Sequence, residues 1–178
     1  IYSFIDSVIK NSKKYKPLLE ILGKSHPDIE GIKQGNEIIS SSDFETEISH
    51  TISKLNNSYI ILQGPPGTGK TYQAANAIID LIKQGKKVGV SANSHKVIHN
   101  LLDRVEKTAD EKKVTFEGLK KGGQKEEHIY SGKFITTPEK DGDPYFIAAL
   151  KDPKINLHAG TAYHFSKECF DQALDYLF

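Results

Sequence analysis

Apolar residues recur along the chain at spacings that predict helices alternating with strands. A helical stripe over residues 44–55 leads into an apolar run at 59–62 that predicts a strand. A second stripe covers residues 75–82, and the short apolar run 88–90 precedes a third stripe over 97–105. This order of strand, helix, strand and helix is typical of a parallel sheet with right-handed crossovers. The pattern therefore predicts an α/β fold.

The residues before this alternation follow a different pattern. Residues 1–22 predict a helix, a break and a second helix, and the Gly-, Ser- and Asn-rich stretch after them predicts a connector with a short strand at 37–39. Ser-Asp-Phe-Glu at 42–45 fits a capping box that starts the next helix. We expect a helical appendage and linker over residues 1–42 and a main domain over residues 43–178.

The alternation is lost again from residue 107 to about residue 156. Gly, Lys, Glu, Asp and Pro dominate this segment, so we predict an irregular insertion of short strands or loops at 107–156. Regular structure is expected to resume with a strand at 155–159, a helix near 167–173 and a strand at 176–178.

Composition narrows the class of protein. Of 178 residues, 24 are basic and 23 acidic, and the net charge of +1 excludes a polycation that holds nucleic acid by charge alone. No apolar run approaches the roughly 18 residues of a membrane span, and there is no secretory signal, so we expect a cytoplasmic protein without membrane contact.

The lone Cys169 excludes an internal disulfide. The absence of Met and the apolar last residues suggest an internal fragment of a longer protein.

Residues 64–71 read Gly-Pro-Pro-Gly-Thr-Gly-Lys-Thr, which satisfies the phosphate-loop pattern G-x-x-x-x-G-K-[ST]. The loop follows a predicted strand and opens a helix, as it must if backbone N–H groups are to surround a polyphosphate. Lys70 would place its ammonium on the β and γ phosphates, and the Thr71 hydroxyl would ligate Mg²⁺. The motif predicts ATP and Mg²⁺ as cofactors. The expected nucleotide-binding residues are Gly64, Pro65, Pro66, Gly67, Thr68, Gly69, Lys70, Thr71 and Tyr72, with Lys70 and Thr71 also catalytic.

Short polar residues follow the strand at 88–90, at the sheet edge where open α/β sheets bind ligands. Residues 88–98 resemble motif Ia of superfamily 1 helicases, and His-Ala-Gly-Thr at 158–161 resembles their motif Ic. In that family both motifs contact a single nucleic-acid strand. The expected nucleic-acid-binding residues are Ser91, Asn93, Ser94, His95, Lys96, Gly160 and Thr161.

The resemblance covers residues 43–178, and its nearest form is the 1B branch, which includes bacterial nuclease-helicase fusions. The resemblance implies a three-layer P-loop NTPase fold, the first RecA-like domain of an ATP-dependent helicase. It also implies that the helicase moves along single-stranded nucleic acid, and DNA is favoured over RNA. The partner implied is a second RecA-like domain of the same parent chain. Arginine fingers come from that second domain in this family, and motif II would begin after Phe178, so the fragment alone is expected to be inactive.

Alternatives remain open at this point. The same phosphate-loop pattern also occurs in AAA+ and kinase-type ATPases and in nucleotide-gated interaction modules. Glu47 stands where the family reads adenine with Gln. Ser94 has a second interpretation as a helix cap, and His95 with His99 has the i, i+4 spacing of a metal pair. The N-terminal lysines at 10, 13, 14 and 16 predict a solvated surface rather than a nucleic-acid patch.

Overall fold

The computed structural model describes residues 2–10, 12–39, 44–139 and 142–178. The chain divides into two compact units, Ile1–Thr68 and Gly69–Phe178. The boundary expected between residues 42 and 43 stays a prediction about domain organisation. Ser42 and Asp43 of the expected capping box lie outside the described residues.

The first unit is helical. Its elements are α1 (Tyr2–Ile9), a 3₁₀ helix (Lys13–Tyr15), α2 (Lys16–Leu22) and α3 (Phe44–Ser53). The helix, break and second helix predicted over residues 1–22 are therefore present.

Two strands predicted in the first unit are wrong, because neither residues 37–39 nor residues 59–62 form a strand. The Asp28 N–H donates to the Ser58 hydroxyl (2.8 Å), and the Tyr59 hydroxyl donates to the Ser25 carbonyl (2.6 Å). Ile61 is 72% exposed. The run 59–62 is thus held at its start by hydrogen bonds to the connector. Within the described ranges its apolar residues have no neighbouring strand to pair with, and a β-ladder needs one.

The second unit is built on a five-stranded parallel sheet. Its strands lie side by side in the order β3, β2, β4, β1, β5. Their bounds are β1 (Val88–Ser91), β2 (Glu117–Lys120), β3 (Ile135–Thr136), β4 (Ile155–Gly160) and β5 (Tyr176–Leu177). The α/β class with a parallel sheet is confirmed.

Helices cover both faces of this sheet. They are α4 (Lys70–Lys83), α5 (His95–Lys112), α6 (Asp143–Lys151) and the short α7 (Ala162–Phe165). The connections through α5 and α6 run in opposite directions across the sheet, and because such crossovers are right-handed in about 98% of cases, the two helices lie on opposite faces. Since α4 packs along α5, the domain has three layers.

The core on the α6 face joins the sheet to α6 through a cluster of buried residues. Its members are Leu119, Phe146, Ala149, Ile155 and Phe170. On the other face α4 and α5 bury an aliphatic stripe that includes Ile78, Leu81, Ile98 and Leu102.

Two segments differ from the prediction in their regular structure. The segment expected as an insertion of short strands or loops, residues 107–156, does form the short strands β2 and β3, but these belong to the main sheet, and the segment also forms α6. The helix expected near 167–173 is wrong, because only the 3₁₀ turn Glu168–Phe170 forms and Gln172 has a φ of +60°. That left-handed backbone ends any helix. Among the described residues, none of the helices has the length and hydrophobicity that crossing a bilayer requires.

Candidate nucleotide and nucleic-acid site

The phosphate-loop residues belong partly to the end of the first unit and partly to the start of the second. In the first unit Gly67 has a φ of +83°, and the Thr68 hydroxyl donates to the Pro65 carbonyl over 2.9 Å. In the second unit Gly69 has a φ of +79° and directly precedes α4. A Cβ on either glycine would meet nothing within 4 Å, so the left-handed backbone, not crowding, is what requires glycine here.

The residues present fit a bound polyphosphate. Lys70 is the first residue of a fourteen-residue helix, and the positive dipole end of a helix favours an anion. Residues 65–69 and Thr71 are exposed, and Lys70 is partly exposed, so the glycine backbone and both functional side chains are accessible. Lys70 would hold phosphate oxygens and Thr71 a magnesium ion, as the sequence predicts.

Tyr72, expected beside the nucleotide, packs against the one arginine of the chain. The guanidinium carbon of Arg104, on α5, lies 4.5 Å from the centroid of the Tyr72 ring. This cation–π contact fastens the first turn of α4 to α5. Arg104 is the single arginine in the sequence, and its guanidinium is already engaged in this contact.

The turn after β1 contains most of the residues expected to contact nucleic acid. Ser94 has extended backbone angles (φ −140°, ψ 149°), and its hydroxyl accepts the N–H of Val97 over 3.3 Å. Ser94 is therefore the N-cap of α5, as its second interpretation proposed. Asn93, Ser94 and Lys96 are exposed, and Ser91 is half-buried at the strand end.

Gly160 and Thr161 lie beside this turn, because β1 and β4 are parallel neighbours with Ser91 opposite Gly160. Gly160 is buried, and a Cβ there would lie 2.7 Å from the His164 ring, so close packing explains this glycine. Thr161 is half-buried, and it is the N-cap residue of α7. The two predicted contact segments thus share the carboxyl edge of the sheet.

His95, also expected to contact nucleic acid, is held by a buried cluster. Its Nδ1 lies 2.9 Å from Nζ of the fully buried Lys120, and its ring stacks on His128 with centroids 4.0 Å apart. Burial, with the charges of Lys120, His128 and His99, lowers the pKa of His95 to about 4. Burial also lowers the pKa of Lys120 to about 8. The ring of His95 is neutral at physiological pH.

This cluster was not foreseen from the sequence, since Lys120 and His128 lie in the segment expected to be irregular. The Lys120 ammonium also donates to the His128 carbonyl. The end of β2 and the segment that contains His128 are therefore joined, and both contact His95. The His95 and His99 centroids are 6.5 Å apart. Within the described part of the chain no group of three or more candidate ligands could hold a metal ion, so the metal-pair interpretation has no support.

Comparison with known proteins places the chain in a family. A family model described as "Type III restriction enzyme, res subunit" matches residues 29–168. This match covers well over half of the chain, which therefore belongs to that family. The resemblance to the RecA-like P-loop domain of helicases is confirmed.

Similarity to curated proteins is more local. Over 45 residues, 25% of this chain, the sequence is 44% identical to the DNA-binding protein SMUBP-2 of Rattus norvegicus. It is 42% identical over 45 residues to the DNA-binding protein SMUBP-2 of Mesocricetus auratus. The matched residues are 5% of the length of either relative.

Proposed function

We propose that the chain is the first RecA-like motor domain of a superfamily 1 helicase that moves along single-stranded DNA. The observation that carries the proposal is the parallel pairing of β1 with β4, with Ser91 opposite Gly160. It gives the polar turn 92–96 and Thr161 one common edge, where open α/β sheets bind their ligands. The DNA-binding relatives favour DNA over RNA.

The nucleotide site that we propose is residues 64–71 with ATP and Mg²⁺. Bound ATP supplies the phosphoanhydride bond, and Mg²⁺ neutralises charge on its phosphates. The chain's own contribution would be binding: the left-handed backbone at Gly67 and Gly69 would bring N–H groups close to the phosphates, Lys70 would pair with phosphate oxygens, and the Thr71 hydroxyl would hold the metal.

Hydrolysis by the isolated chain should be slow. Arg104 is engaged with the Tyr72 ring, and an arginine finger in related P-loop enzymes contributes about 10³–10⁵ in rate. We propose that the missing guanidinium comes from a second RecA-like domain of the same parent protein, whose closure would move the strand.

The nucleic-acid half of the proposal is tested by titrating a fluorescent oligodeoxynucleotide into the protein. Because Ser94 caps α5, the sharper variant combines Asn93→Ala with Lys96→Ala, two exposed residues that leave the cap intact. Lys83→Ala with Lys86→Ala is the control, since Lys83 ends α4 and Lys86 lies between α4 and the start of β1, at the amino edge of the sheet.

The expected result is weaker binding by the Asn93/Lys96 variant, with ATP affinity and the control variant unchanged. The salt dependence should be shallow, with a slope of about −0.7 for each phosphate contacted. Equal binding by both variants and the original chain would contradict the proposal. Loss of binding only after Lys13→Glu with Lys14→Glu would place the site on the N-terminal lysines instead.

A further inference from the structure

An exposed tyrosine lies on the same sheet edge as the proposed nucleic-acid turn. Tyr163 is 86% exposed, the largest value for any large apolar or aromatic side chain among the described residues. It belongs to α7, which begins two residues after the end of β4. A solvent-exposed aromatic ring beside a polar ligand-binding edge indicates a recognition role.

The backbone that carries Tyr163 is firmly anchored. The next residue, His164, is 3% exposed, and its ring lies 4.5 Å from the ring centroids of both Phe146 and Phe170. The Ser166 hydroxyl donates to the Tyr163 carbonyl over 2.9 Å. Because His164 anchors α7 in the core, the backbone that carries the exposed ring is rigid. The ring therefore loses little conformational freedom when it binds a partner.

The strands on both sides of β4 supply polar and basic groups to the same edge. On one side β1 leads to Asn93 and Lys96. On the other side β2 leads to Lys121, whose N–H donates to the Ala159 carbonyl of β4 over 2.7 Å. Neighbouring strands lie about 4.8 Å apart, so the end of β4, three residues before Tyr163, lies between two turns that carry lysines.

We propose that Tyr163 is a stacking platform for a base of the bound single strand. The flanking turns would hold the phosphate backbone, and the aromatic ring would accept one nucleobase on its face without regard to sequence. This inference rests on the proposed function, since it assigns the base contact within the same site. A protein surface covering Tyr163 is the competing occupant, and basic turns on both flanks favour the nucleic acid.

The test compares a fluorescent thymidine oligonucleotide with an abasic strand of equal length and charge. Tyr163→Ala should weaken binding of the thymidine strand about fivefold to a hundredfold, the range for loss of one stacked base, and should leave abasic binding unchanged. Tyr163→Phe should bind as the original chain does. Tyr145→Ala, which removes a 40% exposed tyrosine from α6, is the matched control.

Circular dichroism and ATP binding report whether each variant is folded. If Tyr163→Ala binds the thymidine strand as well as the original chain, or weakens both strands equally, base stacking at this residue is refuted. In that case the proposed function still stands, provided that binding remains sensitive to Asn93→Ala with Lys96→Ala. If the original chain binds neither strand, the proposed function itself fails.

Discussion

Acidification to about pH 5 is expected to destabilise the second unit through two buried imidazoles. His158 is fully buried and His164 is 3% exposed, and burial is the main cause that lowers the pKa of each to about 4. Lys87 adds to the effect on His158, and Lys167 is the largest charge acting on His164. Lys121 and His158 also lower the pKa of His164, whereas Asp143 raises it.

The sign follows from proton linkage. The unfolded chain binds protons at these rings below about pH 6.5, whereas the folded chain does so only near pH 4, so stability is complete above 6.5 and is lost as the pH falls. From 6.5 down to about 5, at about 1.4 kcal/mol per pH unit, each ring loses about 2 kcal/mol. Together they remove about 4 kcal/mol, a large part of the stability of an ordinary domain.

Urea unfolding followed by circular dichroism at neutral and acid pH measures this loss. His164→Phe should reduce the loss by about 2 kcal/mol, because phenylalanine takes up no proton at the position beside Phe146, Phe165 and Phe170. His158→Leu should reduce the loss by a similar amount, and His50→Gln, at an exposed position, should leave the loss unchanged. An acid loss that keeps its full size in both core variants would refute the reasoning.

Two further changes should alter stability measurably. Gly160→Ala should destabilise the chain by about 1–3 kcal/mol in urea unfolding, because its Cβ would lie 2.8 Å from the Cβ of His164; an unchanged midpoint would show that α7 shifts to accept the methyl group. Raising the pH to about 9 should stabilise the chain by about 1.4 kcal/mol, because the Lys120 pKa of about 8 lies below its ordinary 10.5 and the unfolded state keeps the proton. Lys120→Met should abolish that rise, and a rise that survives the substitution would assign it to another group.

Local periodicity predicted the elements that make their own contacts. The apolar stripe that includes Ile78 and Ile82 became α4, and the stripe that includes Ile98, Leu102 and Val105 became α5, since each buries one helical face. Ser94 was also identifiable as a cap, because capping depends on residues three positions apart.

Features that depend on distant partners were not predictable. The run 59–62 looked like a strand, but a strand exists only where a neighbour offers its backbone. The contact of Lys120 with His95 joins residues 25 positions apart, and no local pattern marks it. The exposure of Tyr163 depends on the burial of His164 beside it, which only the packed core decides.

Nucleotide binding by calorimetry tests the central claim most directly. ATP with Mg²⁺ should bind the chain at one site, and Lys70→Ala should remove most of that binding, while Lys86→Ala should not. At about a hundredfold excess of nucleotide over Kd, the original chain should also gain about 2.7 kcal/mol of stability. Equal affinity in the original chain and Lys70→Ala would contradict a phosphate loop at residues 64–71, and with it the assignment of a helicase motor domain.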